Sequence, residues 1–205
     1  MSPAVNSIST WAPALNWAKR AALYPLSLDD FEQMLRTLES IEPAGVFSEV
    51  DDVLQEWHRA RHAFFEQQQV EYTRLFVNRF GGSPAPPYAS FYLNGELLCG
   101  DSTPWVLDMY WRVGLDWAPR MGAEMPDHLA VELEFLHALS LGLTAVEPRP
   151  PDADCENLWR LFWAEHLALW LPQFCAKLLR NTQTPFYNML AIFLQNLLRK
   201  EIGHE

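Results

Sequence analysis

The chain has 205 residues, 49% of them hydrophobic and 13% aromatic, with 15 Lys+Arg against 26 Asp+Glu for a formal net charge of −11. That length and composition allow one good core. An acidic surface repels nucleic-acid phosphates and anionic lipid, and it attracts a cationic peptide or protein. The three cysteines, Cys99, Cys155 and Cys175, are far apart and form no CxxC pair, which excludes a disulfide scaffold or zinc ribbon and fits a reducing compartment.

The first basic residues are Lys19 and Arg20, so no secretory signal is read at this N-terminus. No apolar run reaches the roughly 18 residues of a membrane span. The expectation is a soluble cytoplasmic protein.

Apolar positions recur at helical spacing nearly throughout. Trp11, Ala14, Leu15, Ala18 and Ala22 predict a first helix over 10–24, stopped by Tyr24-Pro25. Ser27 followed by Asp30 predicts a capped second helix with the stripe Phe31, Leu35, Leu38. Ser48 and Asp51 repeat that signal for a third helix, to about Gln69, with one more helical turn through "EYTRLF".

The stretch from Arg79 to Pro104 holds two adjacent glycines and is rich in proline, and is read as a long loop, with "SFYLNGEL" as a short extended piece. Thr103-Pro104 opens the next helix, which Gly114 ends. Another helix is expected from Pro126 to about Leu141, with Asp127 meeting the positive end of its dipole. After the connector "TAVEPRPPDAD", a helix over 155–180 should bend near Pro172, and Thr184-Pro185 should start the last, to about Lys200. The fold class is all-α: one domain over 1–205, with an N-terminal helical group 1–78, the loop 79–103 and a C-terminal group 104–205. The loop and the connector at 144–154 could act as hinges for exchange between chains, so a monomer is expected with a domain-swapped dimer as its variant.

Candidate chemistry is thin. His58 and His62 lie four apart with Glu66 one turn on, but no third ligand converges on them. Glu134 and His137 have the i, i+3 spacing of di-iron bundles. Such bundles need a second motif, and the only other match, Glu201 with His204, sits at the tail. There is no GxSxG elbow and no phosphate-cradling loop. What remains is acidity (Asp101, Glu124, Asp127, Glu132) beside a dense apolar set: Tyr72, Leu75, Phe76, Phe80, Tyr88, Phe91, Tyr92 and Trp105. Clefts lined this way hold apolar peptide segments, with carboxylates for guanidinium groups, although any single ring is more often core.

In order along the chain stand "YTRLF" (Tyr72–Phe76), "PPYASFY" (Pro86–Tyr92), "GDST" (Gly100–Thr103), "EMPDHLAVELEFL" (Glu124–Leu136), "HLALWLPQF" (His166–Phe174) and "PFY" (Pro185–Tyr187). Over about 72–198 this resembles the TorD/DmsD family of cytoplasmic molybdoenzyme chaperones. The resemblance implies an all-helical chaperone with no catalytic residue, metal or cofactor. It would bind the twin-arginine signal peptide and the precursor of a molybdenum-containing oxidoreductase subunit of the DMSO reductase family until cofactor insertion precedes export. It also implies peptide contacts at Tyr72, Leu75, Phe76, Phe80, Tyr88, Ser90, Gly100, Asp127 and His128, with Asp127 attracting the arginine pair. Tyrosines stand at Tyr72, Tyr88 and Tyr92 where some relatives carry tryptophan. The alternatives are a metal enzyme using Glu134 and His137, and an adaptor docking on the mature enzyme.

Overall fold

The computed structural model describes residues 8–38, 41, 47–77, 82–116, 124–142 and 155–202. A 3-10 turn, Ile8–Trp11, leads into α1 (Ala12–Ala21), then α2 (Leu28–Leu38), α3 (Phe47–Arg59), α4 (Arg61–Phe76), α5 (Ala89–Leu93) and α6 (Ser102–Arg112). There follow α7 (Leu129–Ser140), α8 (Cys155–Phe162), a π-helical turn (Trp163–Leu167), α9 (Ala168–Asn181) and α10 (Pro185–Ile202). Among the described residues the only extended pairing is an isolated bridge between Tyr88 and His128. The fold is all-α.

Local chemistry explains most boundaries. Ser27 Oγ accepts the Asp30 N–H at 3.1 Å and donates to the Asp30 carboxylate at 2.7 Å, so α2 starts where its cap stands. Gly114, at φ 73°, closes α6 in a left-handed conformation that suits glycine.

Three expectations need correction. The helix expected up to Gln69 breaks at Ala60 (φ −155°), so α3 and α4 are separate and "EYTRLF" is the last turn of an unbroken α4. The 79–103 loop contains α5, and "SFYL" is helical, not extended. Helix α7 starts three residues after Pro126, at Leu129. The segment 155–181 also carries a π-turn, where the Ala168 N–H reaches back five residues to the Trp163 carbonyl, four residues ahead of Pro172 inside α9.

The two halves of the sequence interlock. Helix α1 lies along α7, and α10 packs on α9, α3 and α1. Leu129, Leu133, Leu136 and Leu139 of α7 are fully buried, and Trp17 of α1 meets Phe193 of α10 at 4.8 Å. A fork at Glu71 ties α4 to the α9–α10 turn. Its carboxylate accepts two Arg74 N–H bonds at 2.6 Å and the Gln183 N–H at 2.6 Å, while Arg74 also reaches the Asn181 carbonyl.

Candidate peptide-binding site

The Pro-Asp-His segment is a three-way clamp. The Pro126 carbonyl accepts the Tyr110 hydroxyl of α6 at 2.8 Å. Asp127 serves α5, a five-residue helix whose N-cap residue, Tyr88, makes no side-chain cap. The Asp127 backbone carbonyl accepts the Ala89 N–H at 2.9 Å, and its carboxylate Oδ2 accepts the Ser90 N–H at 2.9 Å. The first turn of α5 is therefore capped from across the fold. His128 is the N-cap of α7, with Nδ1 accepting the Ala130 N–H at 3.1 Å. The Leu129 N–H returns to the Pro87 carbonyl at 2.8 Å. Three consecutive residues thus hold three helices.

The clamp has an electrostatic consequence. Burial lowers His128 to about 4, against the pull of Glu124 and Asp127, so its ring is neutral at pH 7. With Nδ1 as acceptor, the proton sits on Nε2, which faces Glu124 at 3.9 Å. Asp127 is fully buried, and its Oδ1 and the Ser90 hydroxyl have no hydrogen-bond partner among the described residues. In this conformation Asp127 and His128 offer no surface to an arginine side chain. Of the acids beside this clamp, Glu124 is the one that reaches solvent, with a side chain 35% exposed, oriented by the Tyr88 hydroxyl donating to it at 2.9 Å. Tyr88 packs edge-on against the His128 ring at 5.0 Å. Burial and then the Glu124 charge push the hydroxyls of Tyr72 and Tyr88 up, so both remain protonated donors.

The other expected contacts divide in two. Tyr72, Leu75 and Phe76 are buried in α4, with Tyr72 against Phe76 at 4.9 Å and Phe76 against Tyr187 at 5.4 Å. Gly100 is needed for packing, because a Cβ there would overlap the Asn94 side chain, whose Oδ1 accepts the Ser102 hydroxyl at 2.9 Å. Phe80 lies outside the described residues. Tyr92 stacks on Trp170 and Trp105 stacks on His166, so both rings pack within the fold. Behind the clamp, Glu132 is fully buried between His166 Nε2 at 2.7 Å and the Trp170 indole N–H at 3.2 Å. Nothing in the sequence pairs Glu132 with His166, although both lie in the quoted motifs, because the two stand 34 residues apart.

The metal expectations fare differently. His58 and His62 sit on different helices and are exposed. Lys19 of α1 forms an ion pair with Glu134 and contacts His137 Nδ1 at 3.3 Å, so an ammonium occupies the place a metal would need. Among the described residues no group of three or more His, Cys, Asp or Glu is arranged to hold a metal ion, and no helix is long and apolar enough to cross a membrane. Glu201 and His204 fall outside the described side chains, as does the 144–154 connector.

No curated protein matches the chain. The crystal structure of a protein from Archaeoglobus fulgidus, described as a candidate redox enzyme maturation protein, is similar in fold. It has a TM-score of 0.56 and 20% identity, over 90% of this chain and 93% of that one. A family model described as "Nitrate reductase delta subunit" matches residues 31–176, which span α2 through most of α9 and contain all but the last of the quoted motifs. The chain belongs to this nitrate reductase delta subunit family, which is TorD-like.

Proposed function

We propose that this protein is a maturation chaperone for the catalytic subunit of a molybdenum-containing, nitrate reductase-like oxidoreductase, and that it holds the subunit's twin-arginine N-terminal segment before export. Family membership supports the class of protein. One observation carries the binding reading: Glu124, part-exposed and oriented by the hydroxyl of the half-buried Tyr88, stands at the lip of the clamp on a chain of net charge −11. A guanidinium group takes a carboxylate in two-point hydrogen bonding, and the tyrosines suit the apolar residues that follow it. Asp127 and His128 act through position. They cap α5 and α7 and so hold Tyr88 and Glu124 in place.

Calorimetric titration with a synthetic twin-arginine peptide tests this. Glu124→Gln is expected to weaken binding about tenfold with unchanged melting, a loss of roughly 1.4 kcal/mol. Asp127→Asn, which can still accept the Ser90 N–H, should bind nearly as the native protein does. Asp127→Ala should lose stability and affinity together. If Asp127→Asn abolishes binding while Glu124→Gln leaves it intact, the roles are reversed. Equal affinity for a twin-lysine peptide would remove the guanidinium reading. The metal-enzyme alternative is disfavoured by the Lys19 ammonium between Glu134 and His137.

A further inference from the structure

Resting on the reading above, we infer that the cleft between the α1–α2 connector and α10 is an anchor pocket for one large apolar side chain of the bound cationic segment. It has a volume of about 220 Å³, and its lining includes Ala21, Tyr24, Phe31, Met34, Phe186 and Tyr187. Small-molecule sites typically run to ~300–1,000 Å³, so this cleft suits a side chain better than a cofactor. Several of its polar groups, Arg20 and Asp30 among them, are already engaged. The Tyr187 hydroxyl donates to the Gln68 carbonyl at 3.3 Å, Ser27 and Asp30 hold each other, and Arg20 donates to the Asp30 carbonyl at 2.9 Å. Hydrocarbon and ring remain to meet an occupant.

The rim is apolar too. Leu23, Tyr24 and Leu26 are 40%, 39% and 83% exposed on a connector fixed by Gln69, whose amide donates to the Pro25 carbonyl at 2.9 Å. One exposed leucine is ordinary, whereas three large apolar residues around one opening mark an interaction site. The cleft and the lip flank the same buried ring. Tyr24 at the rim meets the buried Tyr72 edge-on at 5.4 Å, and the Glu124 charge that raises the Tyr88 hydroxyl also raises that of Tyr72. A carboxylate thus stands on one side of Tyr72 and an apolar cleft on the other. Complementarity calls for a peptide with a cation followed by an apolar side chain. A second copy of this chain is disfavoured by its net charge of −11.

The probe is a fluorescein-labelled synthetic peptide with two adjacent arginines followed by an apolar segment, read by anisotropy, together with a version whose leucines are serines. Leu26→Glu places a charge at the mouth of the cleft without touching the core. It is expected to weaken binding of the leucine peptide about tenfold, to weaken the serine peptide little, and to leave melting unchanged. A photo-leucine version of the peptide should cross-link to residues 20–34 in the native protein. If the native protein binds and Glu124→Gln weakens it, but Leu26→Glu does not and the cross-links fall elsewhere, the pocket is overturned and the proposed function stands. If the native protein ignores the arginine peptide, both fall together.

Discussion

Between pH 4.5 and 6.5, two buried groups flanking the start of α7 should pull stability in opposite directions. Burial lowers His128 from 6.5 to about 4. Burial raises Glu132 from 4.5 to about 7, against the pull of His166. The unfolded chain protonates His128 near 6.5, while the native chain refuses that proton until about 4. The His128 contribution is therefore complete above 6.5 and lost as pH falls. Native Glu132 keeps a proton that the unfolded chain releases near 4.5. Its contribution is complete below 4.5 and lost as pH rises through about 7. Each group contributes a slope of about 1.4 kcal/mol per pH unit where only one state is protonated, so the two largely cancel in this window. His137, lowered by burial and by Lys19, leaves a slight net loss on acidification. Burial pushes Glu71 up, but Arg74 and the Gln183 N–H more than offset this, so Glu71 acts only below the window.

Two substitutions separate the opposed slopes. His128→Asn keeps an acceptor for the Ala130 N–H and removes the titration, so acidification from 6.5 to 4.5 should stabilise that variant by about 2 kcal/mol. Glu132→Gln removes the other slope and should be destabilised by a similar amount over the same range. Urea midpoints at half-unit pH steps, followed by tryptophan fluorescence and far-ultraviolet circular dichroism, give the slopes directly. Flat profiles in both variants would refute the assigned burial costs, and slopes of reversed sign would refute the protonation states.

Gly100→Ala should cost about 1–2 kcal/mol, because the new Cβ displaces Asn94 and breaks its bond to Ser102. The shift in melting temperature measures it, and an unchanged value would remove the packing role. Glu71→Ala strips partners from Arg74, the Gln183 N–H and Thr182, and should cost about 3 kcal/mol by chemical denaturation. A loss below about 1 kcal/mol would mean that water replaces the fork. Lys19→Met should cost under about 1 kcal/mol, since the Glu134 side chain is 58% exposed. It should also raise the His137 pKa, because the ammonium that opposes ring protonation is gone. A nuclear magnetic resonance titration of the ring reads this, and no upward movement contradicts the contact.

Punctuation legible in the sequence was local. Ser27 with Asp30 marked α2, Gly114 ended α6, and Pro185 opened α10, because each signal and its partner lie within one turn. What escaped was decided at a distance. Ala60 breaks the α3–α4 run without proline or glycine at the break. Helix α5 is too short for periodicity to detect and takes its cap from Asp127, 37 residues away. Pro126-Asp127 imitates a helix start, so the pattern hides the true cap, His128.

Among the acids, composition could not say which ones reach water. Glu132 is fully buried with His166 and Asp127 is spent on α5, while the exposed Glu134 pairs with Lys19 across 115 residues of sequence and Asp101 is exposed at the start of α6, so Glu124 is the acid that reaches water beside the clamp. That sorting changes what the Pro-Asp-His motif does. A buried carboxylate with one oxygen unpartnered is costly in isolation, yet here it ends an otherwise uncapped helix and fixes the Tyr88 backbone, whose side chain aims Glu124. Replacing Asp127 would therefore disturb peptide binding even if no arginine ever touches it, so loss of binding in Asp127→Ala cannot by itself assign contact. The isosteric Asp127→Asn separates capping from charge, and its affinity relative to Glu124→Gln decides which carboxylate meets the peptide.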